Sequence, residues 1–125
     1  MTVSYRIGVA GLGTVGASVV RMIARRHDTL TASGLDIRVA AVSSRDRTRD
    51  RGLDLAGVTW FDDPVALARS GEVDCVVELI GGAEGSAKAV VEAALQAGKT
   101  VVTANKALLA RHGAALAALA EANGV

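Results

Sequence analysis

A short apolar strand that runs without pause into a glycine-rich turn constrains this chain more than any other feature. Arg6–Ala10 has strand composition, and Gly11-Leu12-Gly13-Thr14-Val15-Gly16 follows at once as G-x-G-x-x-G. Beyond the glycines, Val15, Val19, Met22 and Ile23 recur on one face at helical spacing. Strand, glycines and helix in that order form the setting that holds a dinucleotide. Gly11 permits the tight turn, Gly13 lets a diphosphate approach the main chain, and Gly16 lets helix and strand pack closely. The amides from Leu12 to Val15 and the positive end of the helix dipole would face the phosphates. In a chain with 14 glycines the same string also suits a plain structural turn, so its weight comes from where it stands.

A chain of 125 residues suits one domain, 1–125, that hides about two thirds of its unfolded surface. Half the residues are hydrophobic, yet Tyr5, Trp60 and Phe61 are the only aromatics. A core of Val, Leu, Ile and Ala suits helices packed on a parallel sheet. The net charge of +1 gives no general pull toward nucleic acid or an anionic membrane, and so few aromatics argue against a stacking platform for single strands. Cys75 stands alone, which excludes an internal disulfide framework and a cysteine-based metal cluster. It lies in an apolar run and is expected to be a buried, inert thiol. No metal site is expected. The N-terminus lacks the pattern of a signal peptide, and no apolar run approaches the ~20 residues that cross a bilayer. The expectation is a soluble cytoplasmic protein with neither nucleic acid nor membrane as partner.

Strand and helix patterns alternate along the chain. After a first helix from Thr14 to about Leu30, Leu35–Val42 reads as a second strand. The polar stretch from Arg45 to Gly52 is loop or a short exposed helix, and Gly57–Phe61 supplies a third strand. Asp62-Asp63-Pro64 opens a short helix through Arg69, with an acidic cap and proline in the first turn. Val73–Ile80 is near-continuously apolar, as in a central parallel strand buried on both faces. A helix over about Glu84–Ala97, a short strand Thr100–Thr103, and further helix through Ala122, open to interruption at Gly113, complete the pattern. Strand–helix alternation with short connections predicts an α/β fold built on a doubly wound parallel sheet.

In such a sheet ligands sit beyond the carboxyl ends of the strands, and three features fall there. The first is the glycine turn. The second is Ser43-Ser44-Arg45 after the second strand, where an NAD site usually carries an acidic residue. Asp36 has the spacing for that role but begins its strand, at the wrong edge of the sheet. Ser44 and Arg45 are therefore candidates to receive a 2′-phosphate, which favours NADP, with NAD still open. The alternative makes Arg45, Arg47, Arg49 and Arg51 a solvated charged face, the expectation for the last three. The third feature is the pair of strand ends, Leu79-Ile80-Gly81-Gly82 and Thr103-Ala104-Asn105-Lys106. Gly81 and Gly82 leave room for a flat ring against the backbone. Lys106 is either a cation facing the cleft, able to polarise an oxygen, or a surface lysine that opens a helix. Glu78 is expected to brace a loop by accepting hydrogen bonds from main-chain amides. Lys99, on the opposite edge, is expected to be solvated. His27 and His112, with no acidic partner near either, are expected to be structural or exposed.

Three segments, GLGTVG at Gly11–Gly16, VDCVVELIGG at Val73–Gly82 and GKTVVTANKALLARHG at Gly98–Gly113, together resemble the cofactor domain of the homoserine dehydrogenase family. The resemblance spans essentially the whole chain, and its last segment is the most specific. It implies an NAD(P)-dependent oxidoreductase that interconverts L-aspartate 4-semialdehyde and L-homoserine on the threonine and methionine branch of amino-acid biosynthesis. It implies too that Gly13, Thr14 and Val15 line the diphosphate, Arg45 the adenosine phosphate, and Thr103, Ala104, Asn105 and Lys106 the nicotinamide side. Lys106 matches the family lysine beside nicotinamide and substrate, and is the candidate catalytic residue. Enzymes of the family continue into a substrate and dimerisation domain, which the 125 residues lack together with the last strand of the nucleotide fold. The expectation is an incomplete Rossmann-like domain, the N-terminal cofactor-binding portion of an enzyme that is a homodimer at full length. Alone it should bind nucleotide weakly and turn over substrate negligibly. A related dehydrogenase acting on aspartate and a non-catalytic nucleotide-sensing module are the alternatives.

Overall fold

A computed structural model describes residues 1–125. Along the chain lie β1 (Val3–Ala10), α1 (Thr14–Ala32), β2 (Leu35–Ser43), β3 (Thr59–Phe61), α2 (Pro64–Arg69), β4 (Cys75–Glu78), α3 (Ser86–Gln96), β5 (Thr100–Thr103) and α4 (Lys106–Ala122). The strands form one sheet in the order β3-β2-β1-β4-β5, and every pairing is parallel. The doubly wound α/β architecture expected from the sequence is the one observed. No helix is long and apolar enough to cross a membrane.

The two-residue period of β1 divides the core. Ile7 and Val9 join Leu12, Val20, Val42 and Cys75 on the α1 side. Ala10 joins Ala41, Val76, Leu67 of α2 and Val90, Ala93 and Ala94 of α3 on the other. Helix α4 lies on α3 through Val91, Leu95, Leu108 and Leu116. Cys75 is a buried free thiol, its pKa pushed up by burial, as its apolar setting predicts.

Several boundaries differ from expectation for local reasons. Strand β1 starts at Val3, because Val3–Arg6 pairs with Leu35–Arg38 although that end stays exposed. Ladder hydrogen bonds, which leave no apolar signature, hold it. Strand β4 is shorter than its apolar run. Asp74 is tied to Arg6 by two side-chain bonds of 2.9 and 3.0 Å and one from the Arg6 amide of 2.8 Å, and the chain turns away after Glu78. Strand β3 is trimmed to three residues, and α3 begins after Gly85 rather than at Glu84. The Arg45–Gly52 stretch holds no helix; Asp46 accepts from Thr48 and Asp50 from the Gly52 amide. Helix α4 runs unbroken through Gly113. Asp63 caps α2 as expected, its carboxylate accepting from the Val65 amide at 2.9 Å. Lys99 is half-buried rather than freely solvated: its ammonium donates to the Ser70 carbonyl, and partial burial pulls its pKa down.

Leu67 is fully buried between the sheet and α3. Leu67→Ala should cost about 3 kcal/mol of stability through the cavity it leaves, read as a lower urea midpoint with an unchanged slope.

Candidate nucleotide-binding site

Strands β1 and β4 are neighbours, but the helices that follow them lie on opposite faces of the sheet. The loops at their carboxyl ends therefore part and leave a crevice, the topological position where open α/β sheets bind ligands. The crevice measures about 520 Å³. Gly11, Leu12 and Gly13 form one wall, Leu79, Ile80 and Ser86 another, and Ser43, Ser44, Arg45, Asp46, Arg49 and Arg51 a third.

Two close approaches shape the glycine wall. Gly11 has φ +103°, and a Cβ there would lie 2.8 Å from the Leu79 carbonyl oxygen. At Gly16 a Cβ would stand 1.9 Å from the Gly11 carbonyl oxygen. Around Gly13, by contrast, a Cβ would meet nothing within 4 Å. Gly13 is also the N-cap of α1 and supplies no side-chain bond, so the first-turn amides keep donors to offer. Helices α2 and α4 differ, being capped by Asp63 and Asn105.

At the end of β2, Ser43 is buried, Ser44 half-buried and Arg45 exposed. No carboxylate occupies the strand tip. Asp46 does reach the crevice wall, where the Thr48 hydroxyl and amide hold its pKa down. Asp36 is at the far end of the ladder, in register with Ser4 and bonded to Arg38 at 2.8 Å, as expected. The arginine run divides. Arg47 stays exposed, lying over Trp60 and paired with Asp62 at 3.1 Å, and Arg49 is exposed but lines the crevice. Arg51 departs from the solvated face expected of it. Its Nε donates to the Leu12 carbonyl at 2.9 Å, Nη2 to Ser44 Oγ at 2.7 Å and Nη1 to the Arg49 carbonyl at 3.1 Å.

Glu78 is fully buried. Its Oε2 accepts from the amides of Ile80 at 2.7 Å and Gly81 at 3.0 Å, bracing the loop as expected. Its Oε1 accepts from the Thr103 hydroxyl at 2.6 Å. Thr103 Oγ1 in turn accepts from the Asn105 amide at 3.0 Å. Asn105 Nδ2 donates to the Gly82 carbonyl at 2.6 Å, and its Oδ1 caps α4 through Leu108. One chain of hydrogen bonds thus rivets the β4 loop to the junction of β5 and α4. The Thr103 and Asn105 side chains are both committed to it. Lys106 is exposed, makes no hydrogen bond or ion pair through its side chain, and opens α4 beside Ala104.

Of the candidate residues, Gly11, Leu12, Gly13, Ser44, Arg45 and Ile80 share the crevice. Thr14 lines an adjoining recess with Arg21 and Arg49. Gly16 is buried under the turn and Val15 is exposed. Gly81, Gly82, Thr103, Ala104, Asn105 and Lys106 form a second group at the β4 and β5 tips, outside the crevice wall. Both histidines have acidic partners, against expectation. His112 Nε2 lies 2.6 Å from Glu84 Oε1, and His27 Nδ1 lies 4.0 Å from Asp36 Oδ1. The first pair joins the loop before α3 to α4 across 28 residues, a separation at which sequence carries no pairing signal.

Taken with the fold, the glycine turn and the crevice define a dinucleotide-binding domain, and comparison with known proteins narrows it. The family model for the NAD-binding domain of homoserine dehydrogenase matches residues 11–125. The chain belongs to that family. It is 44% identical over 122 residues to the homoserine dehydrogenase of Corynebacterium glutamicum, an alignment covering 95% of this chain and 26% of that protein. The Staphylococcus aureus enzyme at pH 7.0 superposes with a TM-score of 0.89 at 32% identity, over 100% of this chain and 32% of that one. A hyperthermophilic archaeal homoserine dehydrogenase in complex with NADPH shares the fold, with a TM-score of 0.78 at 23% identity, covering 98% of this chain and 42% of that one. The chain spans about a quarter of the length of the curated relatives it matches.

Glu78→Ala should leave the Ile80 and Gly81 amides and the Thr103 hydroxyl unpaired, at about 2 kcal/mol. Hydrogen exchange at those two amides should quicken while the α1 amides keep their protection. Glu84 offers a pH test. A hydrogen bond from His112 holds its carboxyl below the ordinary 4.5. Its contribution to stability is therefore complete above that value and lost as pH falls through the folded one. Wild type and Glu84→Gln should differ in thermal midpoint at pH 6 and converge toward pH 3.

Proposed function

We propose that this chain is the cofactor-binding portion of a homoserine dehydrogenase, serving the NAD(P)H-dependent interconversion of L-aspartate 4-semialdehyde and L-homoserine. The observation that carries the proposal is the crevice between the β1 and β4 loops, with the uncapped start of α1 at its wall. The residues present fit a dinucleotide. Open space around Gly13 lets an anion approach main-chain amides that no side chain occupies, and a Cβ at Gly11 would strike the opposite wall.

Bound there, the cofactor supplies the hydride. The amides from Leu12 to Val15 hold the diphosphate, and Gly16 sets the angle at which α1 presents them. Ser44 and Arg45 receive the ribose end, and the absence of a carboxylate at that tip favours a 2′-phosphate and hence NADP. Ile80, Gly81 and Gly82 give a flat ring access to the backbone, within a loop fastened by Glu78. Thr103, Ala104 and Asn105 shape the nicotinamide side, the first and third through the hydrogen-bond chain that anchors them. Lys106, with its ammonium unpaired, orients the substrate and stabilises negative charge on the carbonyl oxygen during reduction. Positioning of the aldehyde carbon contributes the rest.

Titrating NADPH and NADH against the 125-residue chain tests the assignment. NADPH should bind more tightly, and Arg45→Ala should erase most of the difference. A clear preference for NADH would remove Arg45 from its role. In a dehydrogenase of the relatives' full length carrying this sequence, Lys106→Ala should lower kcat by about 10²–10³-fold and leave the Kd for the cofactor nearly unchanged. Equal losses in both would make Lys106 a cofactor contact only.

A further inference from the structure

Arg51 is joined to the crevice in a way that none of the roles above uses. Each of its three guanidinium nitrogens donates to a protein acceptor: the Leu12 carbonyl, Ser44 Oγ and the Arg49 carbonyl. Its own carbonyl accepts from Arg21 Nη2 of α1 at 3.0 Å. Trp60 lies 5.8 Å from its Cζ, within cation–π range. A guanidinium spent in this manner is a strut between two loops whose contact points, Leu12 and Ser44, are 32 residues apart in the sequence.

Two consequences follow from elementary geometry. The Leu12 carbonyl and the Gly13 amide N–H belong to one trans peptide unit and point in opposite directions. Fixing the carbonyl on Arg51 therefore fixes the direction of the N–H. That peptide gains from such a lock, because Gly13 has no side chain and a Cβ there would meet nothing within 4 Å. At the other end, Ser44 Oγ accepts from Arg51, so its hydroxyl hydrogen is left to donate to a ligand.

We propose that Arg51 is the positioning residue of this nucleotide site, locking the Leu12–Gly13 peptide and the Ser44 hydroxyl in one frame so that the diphosphate and the 2′ end of an adenine nucleotide are recognised together. The proposal rests on the nucleotide-binding role argued above. Lysine offers one nitrogen where arginine offers a fork of donors, so Arg51→Lys cannot rebuild the strut, although it preserves the charge.

The experiment titrates two probes, ADP for the diphosphate and adenosine 2′,5′-bisphosphate for the 2′-phosphate, against the 125-residue chain. The proteins are wild type, Arg51→Lys, Arg51→Gln and Ser44→Ala, each checked for folding by circular dichroism. Both Arg51 variants should weaken both probes by about tenfold. Ser44→Ala should weaken the bisphosphate and spare ADP, and adding Arg51→Gln to it should cost the bisphosphate less than in wild type. Wild-type affinity in Arg51→Lys would show a contribution of charge alone and overturn the proposal. So would a loss confined to the bisphosphate, which would mark a direct phosphate contact, and so would an Arg51→Lys chain that does not fold, which would mark a purely structural residue. If the wild-type chain binds neither probe, the nucleotide-binding role itself fails, and this proposal with it.

Discussion

Helix α1 leaves β1 so abruptly that position 16 has no room for a methyl group. A Cβ there would come within 1.9 Å of the Gly11 carbonyl oxygen, and no side-chain rotation could relieve the clash, since the obstacle is main chain. The glycine half of the sheet's carboxyl edge depends on this contact. It brings the start of α1 to the crevice wall with its amides unused, and sets Gly11 against the Leu79 carbonyl of the neighbouring loop. The hydrogen bonds from Gly11 N to the Ser43 carbonyl and from Leu79 N to the Ala10 carbonyl, both 2.9 Å, then continue the sheet into the turn on both sides of β1.

The other half of the edge is held by polar chemistry where the first half is held by steric fit. A fully buried carboxylate is costly unless its oxygens find donors. Glu78 satisfies both oxygens with two loop amides and a threonine hydroxyl. The pattern continues through Asn105 to the Gly82 carbonyl, so loop and helix start behave as one unit. Lys106 extends from that unit with no ion-pair partner. An unneutralised cation on a rigid mount is the feature on which the role proposed for Lys106 rests.

The arginines between β2 and β3 show how one compositional signal can hide distinct roles. Arg47 covers Trp60 and pairs with an exposed aspartate, which is surface behaviour. Arg45 extends from the crevice wall without a partner. Arg51 reaches back into the glycine turn and spends every nitrogen on it and its neighbouring loop. All three have the same chemistry and lie within seven residues, but the path of the intervening loop gives each a different neighbour.

What the sequence determined by itself is local and periodic. The parallel α/β sheet follows from alternating apolar strands and amphipathic helices, the glycine turn and the Asp63 cap from residue type and order, and the position of Asp36 at the wrong edge from its place at the start of a strand. Glu78 was legible as a loop brace, because a carboxylate inside an apolar strand must find donors nearby. Only the tertiary structure decided which residues meet across distance: Arg51 with Leu12, 39 residues apart, Glu78 with Thr103, 25 apart, and His112 with Glu84, 28 apart. Hydrogen-bond partners so separated leave no period in the sequence. Their pairing depends on where the sheet order brings the loop ends, and strand order is a property of the packed whole.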